Sequence, residues 1–277
     1  MKKGIIIGAF PEQSLEENFK LAKKIGFDGV ELSVEGEGNI TMNSTKEEME
    51  KIRKLADDNL VELYSVASNL QWQNLLTSKN EETREKAKAV VKKQIDVASW
   101  LGCDTVLVIP GAVGVDFIPN CEIVDYEVAC SRALEEIKEL SVYAEEKKVS
   151  IGLENVGNKM LLSPLEFRDF IDEVGSQYVG AYFDVGNVMR NGYPDQWIRV
   201  LGKRIKKIHF KDFNIALGSF VDLMEGNVDF PAVMEALKSI GYDNWITSEV
   251  GPVYANYPDM LLYRTSHAMD KIMENYR

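Results

Sequence analysis

The sequence predicts an α/β protein folded as a single (β/α)8 TIM barrel that spans residues 1–277. Short apolar runs alternate with helix-length segments along the whole chain, which gives eight strand–helix units and indicates a parallel sheet. Runs such as residues 106–109 are apolar throughout, as expected for parallel strands covered on both faces. No Pro-, Gly- or Ser-rich linker divides the chain, and its length suits one closed barrel.

The first four units are predicted from apolar runs and helix-capping signals. Ser14 and Glu17 form a capping box at the start of the first helix, and Gly26 ends that helix. The strands are predicted at residues 5–7, 28–32, 61–66 and 105–109. Their helices are predicted at about residues 15–25, 45–58, 80–101 and 125–147. An open dinucleotide-binding sheet is disfavoured, because residues 8–11 after the first strand lack the G-x-G-x-x-G pattern.

In the last four units, each strand is predicted to end in a polar residue. These strand ends are Glu154, Asp184, His209 and Glu249. Pro164, in a first-turn position, marks the start of the helix that follows Glu154. The remaining helices are predicted at residues 196–201, 230–240 and 257–276.

Composition and charge restrict the class of partner. A formal net charge of −12 disfavours binding to nucleic acid or to anionic lipid. The three cysteines show no C-x-x-C spacing, which predicts a reduced, cytoplasmic setting. No stretch approaches the roughly 18 apolar residues of a membrane span, and the N-terminal apolar run predicts a strand and not a signal peptide. The expected partner is therefore a small molecule.

The four polar strand ends predict a metal site. The carboxyl ends of parallel barrel strands share one mouth, and neighbouring strands lie about 4.8 Å apart, so Glu154, Asp184, His209 and Glu249 can reach one ion. Three buried carboxylates would repel one another without a cation. Oxygen ligands with one imidazole suit Mn²⁺, Co²⁺ or Mg²⁺, and Zn²⁺ is a further candidate.

The residues around these strand ends carry a resemblance to a known family. The motifs are Leu153-Glu154-Asn155, Phe183-Asp184-Val185-Gly186-Asn187, Ile208-His209-Phe210-Lys211-Asp212 and Ser248-Glu249-Val250, together with residues 26–32 and 225–230. They resemble the xylose-isomerase-like TIM-barrel superfamily, and within it the sugar and sugar-phosphate isomerase/epimerase branch. That branch includes the ketose 3-epimerases and the L-ribulose- and L-xylulose-5-phosphate 3-epimerases. The similarity covers essentially the whole chain.

The resemblance implies an enzyme with one divalent ion, commonly manganese, held by the four strand-end residues. It implies that Glu154 and Glu249 are the catalytic acid and base on opposite faces of a ketose or ketose phosphate. Epimerisation or isomerisation would proceed by proton transfer through a metal-bound enediolate. A metal-dependent dehydratase of an inosose or a shikimate-type substrate is the alternative on the same barrel. The family often forms dimers or tetramers, so a homo-oligomer is a further expectation.

Five residues are predicted to contact the substrate, and two departures from the family pattern bear on its identity. The five are Glu31, Asn69, Trp72, Asn187 and Lys211. Free-ketose 3-epimerases carry a second Glu where this chain has Met160 and a His where it has Asn187, which favours the sugar-phosphate branch. The cations predicted to meet a phosphate are Arg190, Lys159 and Lys211.

Two other functions on the same barrel are less compatible with the sequence. A DNA-repair endonuclease would need many histidines for its zinc ions, whereas this chain has two histidines and a strong negative charge. A barrel that binds a sugar without turnover is expected to have lost a metal ligand, whereas all four ligand positions are filled here.

Overall fold

Eight parallel strands close into a barrel in a computed structural model of the chain, which describes residues 1–276. The barrel strands are Lys2–Ile6, Gly29–Ser33, Glu62–Ala67, Thr105–Val108, Ser150–Glu154, Val179–Asp184, Ile205–Phe210 and Trp245–Ser248. They follow one another in sequence order around the barrel, and the eighth pairs with the first to close it. The predicted (β/α)8 fold is confirmed. Arg277, which the predicted domain includes, lies outside the described residues.

Within residues 1–276, eight α-helices surround the barrel, of which the first seven connect its strands and the eighth follows the last strand. The helices α1 to α8 are Leu15–Ile25, Lys46–Asp58, Glu81–Leu101, Tyr126–Lys147, Pro164–Val174, Pro194–Leu201, Phe230–Ser239 and Met260–Met273. The predicted capping box is present at Ser14 and Glu17, and Gly26 ends α1 in a left-handed conformation at φ 94°. The caps agree with the prediction because they depend on local backbone geometry.

Two helices begin more than one residue away from the predicted start. The last helix begins at Met260 and not at residue 257, because Tyr257 has a φ of 54° and cannot belong to a right-handed helix. The sixth helix begins earlier than residue 196, because Pro194 occupies its first turn. Both differences lie at helix ends and leave the order of elements unchanged.

A short hairpin follows the seventh barrel strand and is absent from the sequence prediction. Its antiparallel strands are Asp212–Asn214 and Ser219–Val221. Phe213 and Phe220 face each other edge to face, with ring centroids 5.3 Å apart. Strands of three residues are too short to show a period, so the pattern of apolar residues could not reveal them. The hairpin brings Phe220 to the wall of the cavity described below.

Glycines in the barrel strands leave room for large aromatic side chains that pack against them. Trp245 is buried and stacks on Tyr64 with ring centroids 3.8 Å apart. A Cβ on Gly29 would lie 2.4 Å from the Glu62 carbonyl oxygen and 2.6 Å from the Trp245 ring. The second strand therefore needs glycine at this position. Within residues 1–276, none of the helices combines the length and apolar content that a bilayer crossing requires.

Candidate active site

The ends of the fifth to eighth strands bring Glu154, Asp184, His209 and Glu249 together. One ligand atom from each of the four lies within 4.8 Å of the others. Register explains the proximity, because Asp184 and His209 are paired residues of neighbouring strands. Glu249 directly follows the eighth strand, and its backbone N–H donates to the Phe210 carbonyl oxygen at 2.9 Å. The geometry expected from the four strand ends is therefore present.

The chemistry of this cluster fits a divalent cation. Asp184 is fully buried, and its Oδ2 has no hydrogen-bond donor among residues 1–276. Lys211 Nζ is the nearby cation, 3.7 Å from this oxygen. A buried carboxylate oxygen without a donor is costly, and a bound cation would supply the missing partner. Three carboxylates and an imidazole are ligands suited to a hard or borderline divalent ion.

The two glutamates of the cluster have opposite electrostatic environments. Burial, reinforced by the negative charge of Glu249, raises the pKa of Glu154 to about 8. Burial also raises the pKa of Asp184, to about 6, although Lys211 opposes the shift. For Glu249, burial alone would raise the pKa, but Lys211 and His209 outweigh it and hold the pKa well below the usual range.

Hydrogen bonds from two asparagines hold the carboxylates of the fifth and sixth strands. The Asn187 amide donates to Glu154 Oε1 at 3.1 Å and to the Asn155 carbonyl oxygen at 3.0 Å. The Asn187 backbone N–H donates to Asp184 Oδ1 at 2.7 Å. The Asn155 side chain forms two hydrogen bonds with the Asp184 backbone. It donates to the carbonyl oxygen and accepts from the N–H, both at 2.8 Å. Sequence reasoning missed this role of Asn155, although it directly follows Glu154.

Glu31 is predicted to contact substrate at the mouth of the barrel, but it is buried more deeply than this prediction implies. Its side chain is 1% exposed, and it contacts His209 from the opposite side to Glu249. His209 Nδ1 lies 3.0 Å from Glu249 Oε2, and His209 Nε2 lies 3.1 Å from Glu31 Oε1. Ser65 and Tyr182 donate hydrogen bonds to Glu31 Oε2, so both carboxylate oxygens of Glu31 contact protein groups. A direct contact of Glu31 with substrate stays a prediction.

A cavity of about 480 Å³ opens over the cluster. Its walls include all five residues predicted to contact substrate, namely Glu31, Asn69, Trp72, Asn187 and Lys211. Sequence reasoning missed two aromatic wall residues, Phe117 and Phe220. Phe117 meets Trp72 edge to face, with centroids 4.9 Å apart. The cavity therefore has an acidic base and an aromatic rim, and its volume suits a small molecule.

The three cations predicted to meet a phosphate differ in their placement. Arg190 lines the cavity, with its guanidinium 5.1 Å from the Phe213 ring centroid and 5.9 Å from that of Phe220. No carboxylate within residues 1–276 pairs with Arg190. Lys211 also lines the cavity, but it is ion-paired with Glu249 at 2.8 Å. Lys159 does not line the cavity and pairs with Asp116.

The motif at residues 225–230 has a structural role that the sequence did not reveal. Asp212 is fully buried and accepts hydrogen bonds from four backbone N–H groups, those of Phe213, Met224, Gly226 and Val228. A Cβ on Gly226 would lie 2.2 Å from Asp212 Oδ1, so only glycine fits there. Asp229 caps α7 by accepting from the Ala232 N–H at 3.0 Å. The motif fixes the loop between the hairpin and α7.

Comparisons with known proteins agree with this architecture. The sequence profile of the family described as Xylose isomerase-like TIM barrel matches residues 19–269. The uncharacterized protein MJ1311 of Methanocaldococcus jannaschii is 29% identical over 263 residues, which cover 90% of this chain and 83% of that protein.

Two solved structures illustrate the similarity of fold. A D-psicose 3-epimerase from Clostridium cellulolyticum H10, solved with D-tagatose, superimposes with a TM-score of 0.80 at 18% identity, covering 99% of each chain. The 3-keto-D-glucoside 4-epimerase YcjR from E. coli superimposes with a TM-score of 0.79 at 17% identity, covering 98% of this chain and 99% of that one. At these identities the likeness establishes the shared barrel fold.

Proposed function

Because the chain belongs to the xylose isomerase-like TIM barrel family, we propose that it is an enzyme that epimerises or isomerises a ketose or ketose phosphate. Its residues Glu154, Asp184, His209 and Glu249 would hold one divalent cation. The observation that carries the proposal is the convergence of these four ligand atoms within 4.8 Å, beside a cavity that Glu154, His209 and Glu249 line. The names of the two superimposed epimerases support a sugar as the substrate class.

The two glutamates are proposed to move the substrate proton. When bound, a divalent cation would polarise the sugar carbonyl and a neighbouring hydroxyl and would acidify the C–H bond of the hydroxyl-bearing carbon. Glu249, which is ion-paired with Lys211 and therefore unprotonated, is proposed to accept this proton. Glu154, which accepts a hydrogen bond from the Asn187 amide, is proposed to deliver a proton to the substrate. Return to the opposite face of the same carbon gives epimerisation, and return to the adjacent carbon gives isomerisation.

The surrounding residues are proposed to orient the sugar and exclude water. Trp72 and Phe117 form one apolar side of the rim, and Phe220 of the hairpin forms another. Asn69 and Asn187 place amide groups on the cavity wall, where they can meet sugar hydroxyls. The aromatic rim would shield the proton transfer from solvent, which strengthens the electrostatic interactions at the base of the cavity.

The experiment that tests the proposal is proton exchange with solvent. A panel of ketoses and their 5- and 6-phosphates is incubated with the protein in D2O, with Mn²⁺ or with EDTA. Deuterium at C3 identifies a 3-epimerase, and deuterium at C1 or C2 identifies an aldose–ketose isomerase. We expect the exchange to require the cation and to be lost in Glu154→Gln and in Glu249→Gln. If no sugar exchanges with folded, cation-loaded protein, the proposal is wrong. Water loss from an inosose would then favour the dehydratase.

The identity of the cation, the cellular location and the oligomeric state stay predictions. Mn²⁺ is the proposed cation, with Co²⁺, Mg²⁺ and Zn²⁺ as alternatives that the same donor atoms accept. Exchange rates after reconstitution of the metal-free protein with each ion would rank them. The cytoplasmic location rests on cysteine usage, and the three cysteines are free in the structure.

A further inference from the structure

We propose that Glu31 is a positioning residue that holds the His209 ring so that Nδ1 faces the three carboxylates of the cluster. The inference rests on the proposed cation site, to which it adds a residue from outside the ligand set. It assigns Glu31 a task different from the substrate contact that the sequence predicts. Three features of the structure carry it: the contact across the barrel, the donors that fix Glu31, and the packing of the imidazole ring.

The contact between Glu31 and His209 crosses the barrel interior. Glu31 lies on the second strand and His209 on the seventh, and these strands are not neighbours in the closed sheet. Glu31 Oε1 lies 3.1 Å from His209 Nε2, and both side chains are at most 2% exposed. A hydrogen bond in this environment is protected from competition by water, so it can determine the orientation of the ring.

The Glu31 carboxylate is itself held by two hydroxyl groups from two further strands. Ser65 Oγ of the third strand donates to Oε2 at 2.6 Å. The Tyr182 hydroxyl of the sixth strand donates to the same oxygen. Glu31 therefore acts as an acceptor towards both hydroxyls, and its Oε1 is left to accept from the imidazole. This arrangement requires the hydrogen to be on His209 Nε2.

The other ring nitrogen, Nδ1, faces the cluster, where its lone pair would bind the cation in place of the hydrogen that it donates to Glu249 in the cation-free protein. His209 Nδ1 lies 3.0 Å from Glu249 Oε2, on the side where the four ligand atoms converge. Tyr182 packs its ring edge to face against the imidazole at a centroid distance of 4.5 Å, which limits rotation of the ring. A histidine that ligates through one nitrogen commonly donates its other N–H to a carboxylate, which fixes the tautomer and makes the ligating nitrogen a better donor.

Cation affinity is the first test. Mn²⁺ binding to the full chain is measured by calorimetry for the wild type, Glu31→Gln and Glu31→Ala. We expect the dissociation constant to rise about 10- to 100-fold in Glu31→Ala, as is usual when a supporting carboxylate is removed. Glu31→Gln should show a smaller rise, because its amide oxygen still accepts from Nε2–H but lacks the charge.

The matched control is Glu35→Gln. Glu35 also lines the cavity, but its carboxylate accepts hydrogen bonds from Ser33 and Asn69 and does not contact His209. This variant removes the same charge from the same cavity, and we expect its Mn²⁺ affinity to match that of the wild type. An equal loss in Glu35→Gln and Glu31→Gln would overturn the proposal, because a general loss of negative charge would then explain both.

A spectroscopic test reads the tautomer directly. The chain has two histidines, and His267 is exposed, so the His267→Gln background leaves a single imidazole to observe by nitrogen NMR. With Zn²⁺ as a diamagnetic probe, we expect the proton on Nε2, and we expect Glu31→Ala to lose this uniform signal. A proton on Nδ1 in the loaded protein overturns the proposal.

The outcomes separate this inference from the proposed function. Wild-type protein that exchanges sugar protons with Mn²⁺, and a folded Glu31→Ala that binds Mn²⁺ equally well, overturn the positioning role alone. Wild-type protein that binds no divalent cation overturns both. Should Glu31→Ala fail to fold, Tyr182→Phe removes one of the two donors to Glu31 while leaving the carboxylate, and a weakened Mn²⁺ affinity supports the role while an unchanged one opposes it.

Discussion

Lys211 Nζ lies 2.8 Å from Glu249 Oε1, whereas no lysine or arginine in the described part of the chain forms an ion pair with Glu154. The two glutamates of one cluster therefore differ in their charge state. Burial raises the pKa of Glu154 to about 8, while Lys211 and His209 overcome the effect of burial and lower that of Glu249. In the cation-free protein near neutral pH, the proton belongs on Glu154 and the negative charge on Glu249. Two carboxylates with such different proton affinities are suited to opposite roles in proton transfer.

The first prediction concerns the pH dependence of the cation-free protein. Glu154 ionises near pH 8 when folded, whereas its ordinary pKa in an unfolded chain is about 4.3. Between these values the folded state binds more protons, so the free energy of unfolding falls as the pH rises. The stabilising contribution is complete below the unfolded pKa and is lost as the pH approaches 8. Urea unfolding in EDTA between pH 5 and pH 8 should show a steeper loss for wild type than for Glu154→Gln. Equal slopes would contradict the assignment.

The second prediction concerns the effect of a cation on stability. Mn²⁺ should raise the melting temperature, because it neutralises the repelling carboxylates and binds only the folded state. At a concentration of 100 times the dissociation constant, the gain is about 2.7 kcal/mol, or several degrees. Asp184→Asn should lose most of this gain, although its Oδ1 can still accept from the Asn187 N–H.

Asp116→Asn provides the control for the cation experiment. Asp116 also lines the cavity and carries one charge, but it pairs with Lys159 and is not one of the four clustered ligands. Its melting temperature should respond to Mn²⁺ as that of the wild type does. A response that is unchanged in Asp184→Asn would mean that the ion binds elsewhere.

The proximity of the four candidate ligands could be predicted from sequence, but the contacts around them could not. Each residue lies within one position of the end of its strand in one parallel sheet, and this connectivity places the four side by side. Glu154 and Asp184 end their strands, His209 is the residue before the last, and Glu249 directly follows its strand. The Glu31–His209 contact depends on how strands two and seven face each other across the barrel. That relationship depends on strand tilt and stagger, which the spacing of residues along the chain does not encode.

Elements too short to show a repeating pattern of apolar residues could not be predicted from the sequence either. The hairpin at Asp212–Asn214 and Ser219–Val221 has no alternating pattern long enough to recognise. Its formation depends on Asp212, a buried carboxylate that binds four backbone N–H groups from up to 16 residues away. Contacts of this kind are tertiary, so they appear only once the loop has been placed on the barrel.

The third prediction concerns Asn187, whose amide donates to Glu154 Oε1 at 3.1 Å. Asn187→Ala should lower the rate of proton exchange about 10- to 100-fold, because small displacements of a reacting group have effects of this size. The Mn²⁺ affinity should change much less, since Asp184 Oδ1 is held by the backbone N–H of residue 187. The control is Asn191→Ala, whose amide bonds the Leu162 carbonyl oxygen instead. Equal exchange rates in all three proteins would contradict the positioning of Glu154 by Asn187.

The fourth prediction concerns Arg190, which lines the cavity with its guanidinium against the rings of Phe213 and Phe220. If the substrate carries a phosphate, Arg190→Ala should raise its KM about 10- to 100-fold, the worth of a hydrogen bond to a charged group. The KM of the unphosphorylated ketose should not change. Arg190→Lys should restore phosphate binding only in part. An ammonium group can neither donate two parallel hydrogen bonds to a phosphate nor stack on an aromatic ring as a planar guanidinium does.

Lys159→Ala is the control for Arg190. Lys159 is another of the cations predicted to meet a phosphate, but it does not line the cavity. Removing its charge should leave the ratio of the two KM values as it is in the wild type. If Arg190→Ala raises both KM values equally, Arg190 contributes to the shape of the rim and not to recognition of an anion.

The fifth prediction concerns the packing that supports the second strand. In Gly29→Ala, the new methyl group would lie 2.4 Å from the Glu62 carbonyl oxygen and 2.6 Å from Trp245, which is stacked on Tyr64 and cannot easily move away. We expect a loss of about 1–3 kcal/mol in the free energy of unfolding, the usual cost of overpacking a core. Urea unfolding of the cation-free protein measures this loss.

Gly157→Ala serves as the control for this substitution, because a Cβ there meets nothing within 4 Å. Its stability should stay close to that of the wild type or rise slightly, since alanine restricts the unfolded chain more than glycine does. Gly29 also precedes Glu31 by two residues on the same strand, so a displaced strand should weaken Mn²⁺ binding as well. If Gly29→Ala is as stable as Gly157→Ala, the Trp245 ring is free to shift, and the second strand is not held by close packing against it.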